Sequence, residues 1–177
     1  MKLIVGLGNK GEEYKDTRHN AGFMAIDQLL GRLGHEKKFS TDKKFESEIV
    51  KLKNVILVRP QTFMNNSGRA VRKIMDYYKI ELGDLAVIHD DLDIRMGEYK
   101  IQKGVGPKIH NGLSSVEQTL GNKDFLRIRI GVDNRQTNLF YGSGADYVLA
   151  RLSSGEKELM EKTIDKALDE LLLMFGW

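Results

Sequence analysis

The chain has 177 residues, with 28 Lys and Arg against 25 Asp and Glu, a net charge of +3 and a sequence pI near 9.0. A hydrophobic share of 41% with only 2 prolines excludes collagen-like, Pro-rich and disordered classes, and the absence of cysteine excludes disulfide scaffolds, thiolate metal sites and a Cys nucleophile. The length suits one domain with its own core, no apolar run approaches the ~20 residues that span a bilayer, and the N-terminus opens without a signal-peptide pattern, so a cytosolic globular protein is expected.

Helical and strand patterns alternate from end to end, which predicts a layered α/β domain with helices on a partly parallel sheet. Leu3-Ile4-Val5, closed by Gly6-Leu7-Gly8, reads as a buried first strand. Phe23, Ile26, Leu29, Leu30 and Leu33 keep helical spacing, with Gly31 and Gly34 closing that segment. Ile49–Leu52 and Val55–Val58 flank Lys53-Asn54 as a strand pair, and Pro60 stops the second strand. Ser67–Tyr78 is a helix with Val71, Ile74, Met75 and Tyr78 on one face, capped by Asn66 or Ser67. Leu85–Ile88 is a further buried strand. Leu113, Val116 and Leu120 mark a short helix ended by Gly121-Asn122. Phe125–Val132 alternates Arg127 and Arg129 against Leu126, Ile128 and Ile130, the pattern of a half-buried strand. The last helix carries an apolar stripe from Met160 to Phe175, and its charged face, which includes Glu156 and Lys157, reads as solvated.

Five segments can carry chemistry. Gly6-Leu7-Gly8-Asn9-Lys10-Gly11 matches the dinucleotide fingerprint G-x-G-x-x-G, but that motif needs a helix to begin at its glycines, and Glu12–Asn20 is polar without an apolar stripe. A turn that holds Asn9 at a strand end is the simpler reading. Thr17-Arg18-His19-Asn20 follows in the same connection; His19 can serve as a general base, or the segment can be a surface or capping stretch before the next helix. Arg59 to Gly68 joins a strand to a helix start, where Asn65 can face a ligand or simply cap the helix. His89-Asp90-Asp91-Leu92-Asp93 follows a buried strand; its carboxylates can hold Mg²⁺, orient an imidazole or act as turn residues, and with no second acidic cluster the metal is the weaker choice. His110-Asn111-Gly112 opens a helix after a Gly- and Lys-bearing stretch. From Arg95 to His110 there are four Lys or Arg against one Glu, with Arg127, Arg129 and Arg135 soon after, which is either a phosphate-backbone footprint or ordinary solvated charge.

Singly these signals are bland. Together, His19, Asp90, Asn9, Asn65 and Asn111 all fall at strand ends or helix starts, which converge on one crevice in an α/β sheet. An imidazole, a carboxylate and several amides suit water-mediated attack on an acyl carbon.

At these residues the sequence resembles the bacterial-type peptidyl-tRNA hydrolases. The resemblance runs from Lys2 to about Leu149 and more weakly through the final helix. It is carried by Val5-Gly6-Leu7-Gly8-Asn9 with Tyr14 and Thr17-Arg18-His19-Asn20, by Pro60 to Gly68, by His89 to Asp93 with Gly97, and by His110-Asn111-Gly112-Leu113. Arg127 to Gly131 and Asp146-Tyr147-Val148-Leu149 add to it. The resemblance implies a single three-layer α/β/α domain over 1–177 with a mixed, partly parallel sheet. It implies an enzyme that hydrolyses the ester between peptide and tRNA and so recycles tRNA from stalled or dropped-off chains, as a monomer in the cytoplasm, with no metal, cofactor or membrane partner. By position it makes His19 the general base and Asp90 its orienting carboxylate, and it gives Asn9 the task of telling a blocked amino group from a free one. Tyr14, Phe63, Met64, Asn65 and Asn111 would bind peptide or the RNA 3′ end, and Lys100, Lys103 and Lys108 would meet tRNA phosphates. The chain departs from the family pattern at Lys10 (usually Pro), at Lys108-Ile109 (usually Gly-Gly), at Val132 to Arg135, and at Trp177, where most members continue, so a shortened tail is expected. The alternative is a non-catalytic RNA-binding relative of the splicing-factor kind.

Overall fold

The computed structural model describes residues 1–33, 37–138 and 142–177. A seven-stranded sheet runs in the order β2-β3-β4-β1-β5-β7-β6. Its middle is parallel: β1 (Lys2–Gly6) lies between β4 (Val55–Pro60) and β5 (Leu85–Arg95), and β7 (Leu126–Asp133) pairs with β5. Both flanks are antiparallel, with β2 (Ser40–Asp42) and β3 (Ser47–Lys51) beyond β4, and β6 (Tyr99–Lys103) beyond β7. The strand pair expected around Lys53-Asn54 is the β3–β4 hairpin.

Helices cover both faces, giving the expected three layers, and a short helix α4 (Arg135–Asn138) follows β7. The period-two alternation of a strand sends Ile4 to one face and Leu3 and Val5 to the other. Ile4 meets α1 (Ala21–Leu33) and α6 (Ser154–Phe175) through Ile26, Leu29, Ile164 and Leu168. Leu3 and Val5 meet α2 (Ser67–Tyr78) and α3 (Asn111–Leu120) through Val71, Ile74, Leu113 and Val116. Because both faces are covered, the central strands read as continuous apolar runs. The Gly121 cap of α3 is left-handed at φ 65°, as the sequence indicates. Gly34, expected to close α1, lies outside the described residues.

Several expectations change. β5 runs on through the acidic segment to Arg95, because Asp90 and Asp91 stay in register with Ile130 and Gly131 of β7. The Gly- and Lys-bearing stretch contains β6, whose Tyr99 and Ile101 pack on the core. Arg127 and Arg129 are not on a solvated face: β7 is covered on both sides, and the two guanidinium groups are buried in ion pairs with Glu117 at 2.8 Å and Asp91 at 2.7 Å. Glu156 is likewise buried instead of solvated, held by Ser153 N–H and Arg18. Asn66 stands at the start of α2 but makes no side-chain cap bond; Ser67 Oγ donates to the carbonyl of Met64 instead.

The glycines of the first turn serve packing. A Cβ on Gly6 would stand 2.1 Å from the Gly22 carbonyl oxygen, and one on Gly22 would stand 2.4 Å from both Leu7 N and the Ile88 carbonyl. The start of α1 therefore lies directly on the end of β1 and on β5 at Ile88, where Leu7 N–H donates to the Ile88 carbonyl at 2.9 Å. That contact fixes where the connection carrying His19 must pass. Gly22→Ala is expected to cost about 2–3 kcal/mol, since backbone atoms and not a pliable side chain must move; urea unfolding at equilibrium measures it, and a midpoint equal to the parent chain's would contradict the close packing.

Candidate active site

The parallel strands β1, β4, β5 and β7 deliver their C-terminal ends to one edge of the sheet, and a groove of about 630 Å³ opens there. Between β1 and α1 the chain makes two short 3₁₀ turns, Glu12–Tyr14 and Arg18–Asn20, instead of a helix. The second turn carries His19. Its Nδ1 lies 2.9 and 3.0 Å from the two carboxylate oxygens of Asp90, which is buried midway along β5.

Asp90 has a second imidazole partner. His110 Nε2 lies 2.9 Å from Asp90 Oδ1, the oxygen nearer His19, and the two rings stand 5.0 Å apart. The His110 tautomer follows from its other nitrogen: Nδ1 accepts the backbone N–H of Leu113 at 3.2 Å, so the ring proton sits on Nε2 and is donated to Asp90. Sequence reasoning included His110 in a motif but gave it no role; its place just before a helix start was the available signal, since an imidazole can cap as well as titrate. His19, donating from Nδ1, keeps Nε2 bare.

Electrostatics follow from the burial of Asp90. Burial pushes its carboxyl pKa up, but the two histidines, by charge and by hydrogen bond, hold it well below the usual carboxylate range. For His19 burial pulls the pKa down, and the charge of Asp90 together with its hydrogen bond outweighs burial, so the pKa stands above the ordinary imidazole value. This pairing adds stability that is full below the unfolded pKa of ~6.5 and is lost as pH rises through the raised folded value. His89 is the opposite case. Fully buried, beside His110, it is pushed down to about 3, and its Nδ1–H donates to the Asp90 carbonyl at 2.6 Å.

His19, Asp90 and His110 present donor atoms within 4.8 Å of one another, a spacing that a metal ion also uses. The lone pair of His110 that a metal would need carries the proton given to Asp90, and moving that proton to Nδ1 would set it against the Leu113 N–H. The set is built to share protons.

The amides gather around this trio. Asn9 is clamped from two sides: its N–H donates to Asn20 Oδ1 at 2.9 Å, and its own Oδ1 accepts the Met64 N–H at 2.8 Å. With the carbonyl oxygen taken, the Nδ2 amino group is the end left for the groove. Tyr14, Phe63, Met64, Asn65 and Asn111 line the same groove. Phe63 takes φ 58°, rare for a large side chain, and its half-exposed ring lies 4.9 Å under Lys10 Nζ. Of the three lysines, Lys108 lines the groove, with its N–H on Asp93 Oδ2 at 2.8 Å, whereas Lys100 and Lys103 stand exposed on the edge strand β6 outside the groove lining.

Arg18, next to His19, is buried rather than a surface or cap residue. One arm pairs with Glu156 at 2.6 Å and the other reaches the carbonyls of Tyr147, Ala150 and Arg151 at 3.2–3.4 Å. These carbonyls end α5 (Gly144–Leu149), whose Ala145, Val148 and Leu149 form one wall of the groove. The guanidinium lies 4.1 Å from the centre of the Tyr147 ring. Arg18 thus ties the turn that carries His19 to that wall, and no periodicity in the sequence announces it.

Residues 3–176 match the family described as peptidyl-tRNA hydrolase. A peptidyl-tRNA hydrolase of Bacillus cereus (strain Q1) is 44% identical over 172 residues, covering 96% of this chain and 90% of the relative. One from Limosilactobacillus reuteri (strain DSM 20016) is 40% identical, with 94% and 89% covered. A crystal structure of peptidyl-tRNA hydrolase from Acinetobacter baumannii superposes with a TM-score of 0.85 at 35% identity, covering 99% of this chain and 89% of that one.

Histidine NMR tests the proton assignment. His110 is expected to show a protonated Nε2 and a bare Nδ1 at neutral pH, His19 to titrate above ~6.5, and His89 not to titrate between pH 5 and 8. A His19 midpoint below ~6.5 would contradict the dominance of Asp90 over burial.

Proposed function

Because the chain belongs to the peptidyl-tRNA hydrolase family and hydrolyses peptidyl-tRNA, we propose that His19 is the general base of that reaction and Asp90 the carboxylate that orients it. The observation that carries this reading is the contact of His19 Nδ1 with both oxygens of a buried Asp90, which leaves Nε2 bare toward the groove. In this mechanism Nε2 takes a proton from water as the water oxygen bonds to the ester carbonyl carbon. The imidazolium so formed is stabilised by Asp90, whose charge is in turn held in place by the His110 N–H. When the tetrahedral intermediate collapses, the carbon–oxygen bond to the terminal ribose breaks and the ribose oxygen recovers the proton from His19. The products are a free peptide carboxylic acid and tRNA with a free hydroxyl.

Asn9 supplies selectivity. Its groove-facing amino group donates to the amide carbonyl of an N-acylated residue, whereas the ammonium group of a free aminoacyl ester brings a donor against a donor. Asn65 and Asn111, both exposed at the groove, bind peptide backbone or the RNA 3′ end, with Tyr14, Phe63 and Met64 shaping the crevice. Lys108 at the groove and Lys100 and Lys103 on β6 meet tRNA phosphates. The protein acts as a single domain over 1–177, as a monomer, in the cytoplasm; among the described residues no helix is long and apolar enough to cross a membrane.

The assay is release of peptide from N-acetyl-aminoacyl-tRNA, with the free-amine ester as control. Activity is expected to fall on the acid side as His19 is protonated, with a midpoint above ~6.5, and His19→Ala is expected to lower kcat about 10³-fold. Full turnover by that variant would remove His19 from the mechanism. In the same preparation, charge reversal at each lysine should reduce the slope of log affinity against log salt by about 1; an unchanged slope excludes that lysine from the RNA contact.

A further inference from the structure

Ile109 stands 82% exposed, the most exposed large apolar side chain among the described residues. It is exposed at the groove, whose lining it shares with Leu92, Val148 and the half-exposed Leu149. Its backbone is pinned on both sides. Lys108 N–H is bonded to Asp93 at 2.8 Å, and His110 is fixed through its side chain to Asp90 at 2.9 Å and through its carbonyl to Ser114 N–H at 2.9 Å. Ile109 does not adopt a positive φ, so a β-branched residue sits there without backbone strain. A single exposed isoleucine on a surface means little; one held rigid beside other apolar groups in a ligand groove is a contact surface waiting to be covered.

Its distance from the chemistry narrows what covers it. Ile109 is one residue from His110, whose ring is 5.0 Å from that of His19, and Ile109 and His19 line the same groove. Of the groups attached close to an ester carbonyl bound in that groove, the ribose, its phosphate and its base are the same in every substrate, and the side chain of the last amino acid is the one that varies from polar to apolar. On the reading of His19 as the base, we infer that Ile109 is a specificity-determining residue that packs against the side chain of the peptide's C-terminal residue, favouring esters of large apolar amino acids over small polar ones. Closing an exposed isoleucine against a leucine-sized group removes apolar surface from water on both partners, whereas a serine-sized group leaves Ile109 wet.

The test keeps the RNA constant. One tRNA body is charged with N-acetyl-leucine or N-acetyl-serine, and kcat/KM is measured for both with the parent chain, Ile109→Ser and Ile109→Leu. The expected result is an approximately 10-fold fall in the leucine-to-serine ratio for Ile109→Ser and retention of the ratio for Ile109→Leu, which keeps the apolar volume. An unchanged ratio in Ile109→Ser, or an equal loss on both esters, would overturn the inference; the equal loss would place Ile109 against the RNA. If the parent chain cleaves neither ester, or if His19→Ala cleaves both at the parent rate, the reading of the active site fails and the inference falls with it.

Discussion

A buried carboxylate between two imidazoles organises this protein's functional edge. Asp90 lies midway along the central strand β5, almost without solvent, and a lone ionised carboxylate there would be costly. Two histidines answer that cost from different parts of the chain. His110 comes from the start of α3 with its proton fixed on the nitrogen that faces Asp90, and His19 comes from the irregular turn after β1. Because Oδ1 of Asp90 is shared, moving either ring disturbs the other. The carboxylate also biases the charge of His19: its attraction outweighs the burial that alone would favour the neutral ring.

The rest of the architecture holds the three partners at hydrogen-bond range. The sheet brings the ends of β1, β4 and β5 to one edge, and the Gly6–Gly22 contact holds the 9–20 connection where His19 meets β5 at Asp90. Asn20 and Asn9 lock that connection internally, and Asn9 then bonds across to Met64 after β4. Gly112 lets α3 start against Met64, where a Cβ would stand 2.4 Å from the sulfur. Arg18 links the turn to α5 and α6 through Glu156 and the carbonyls at the end of α5. His19, the Asn9 amide and the groove wall therefore share one framework, so the site needs little rearrangement to assemble.

Much of this could be read from residue order. The apolar runs of β1, β4 and β5, the stripes of α1, α2 and α6, and the Gly121 cap mark elements whose physics is local, and the clustering of His19, Asp90, Asn9, Asn65 and Asn111 at element ends followed from parallel topology. What escaped was decided by long-range pairing. Arg127, Arg129 and Glu156 look like surface charge because their partners Glu117, Asp91 and Arg18 lie 10 or more residues away. β6 was hidden among lysines and glycines because an edge strand shows only half an apolar pattern. The tautomer of His110 depends on one backbone N–H, which no spacing rule reports.

Asp90 governs the protonation of His19, and the pH dependence of peptide release by Asp90→Asn tests that most directly. Without the carboxylate charge, burial alone acts on the imidazole, so the acid limb should move to lower pH than in the parent chain while the plateau rate falls. A reduced plateau with the acid limb unmoved would show that the activity does not depend on a base tuned by Asp90.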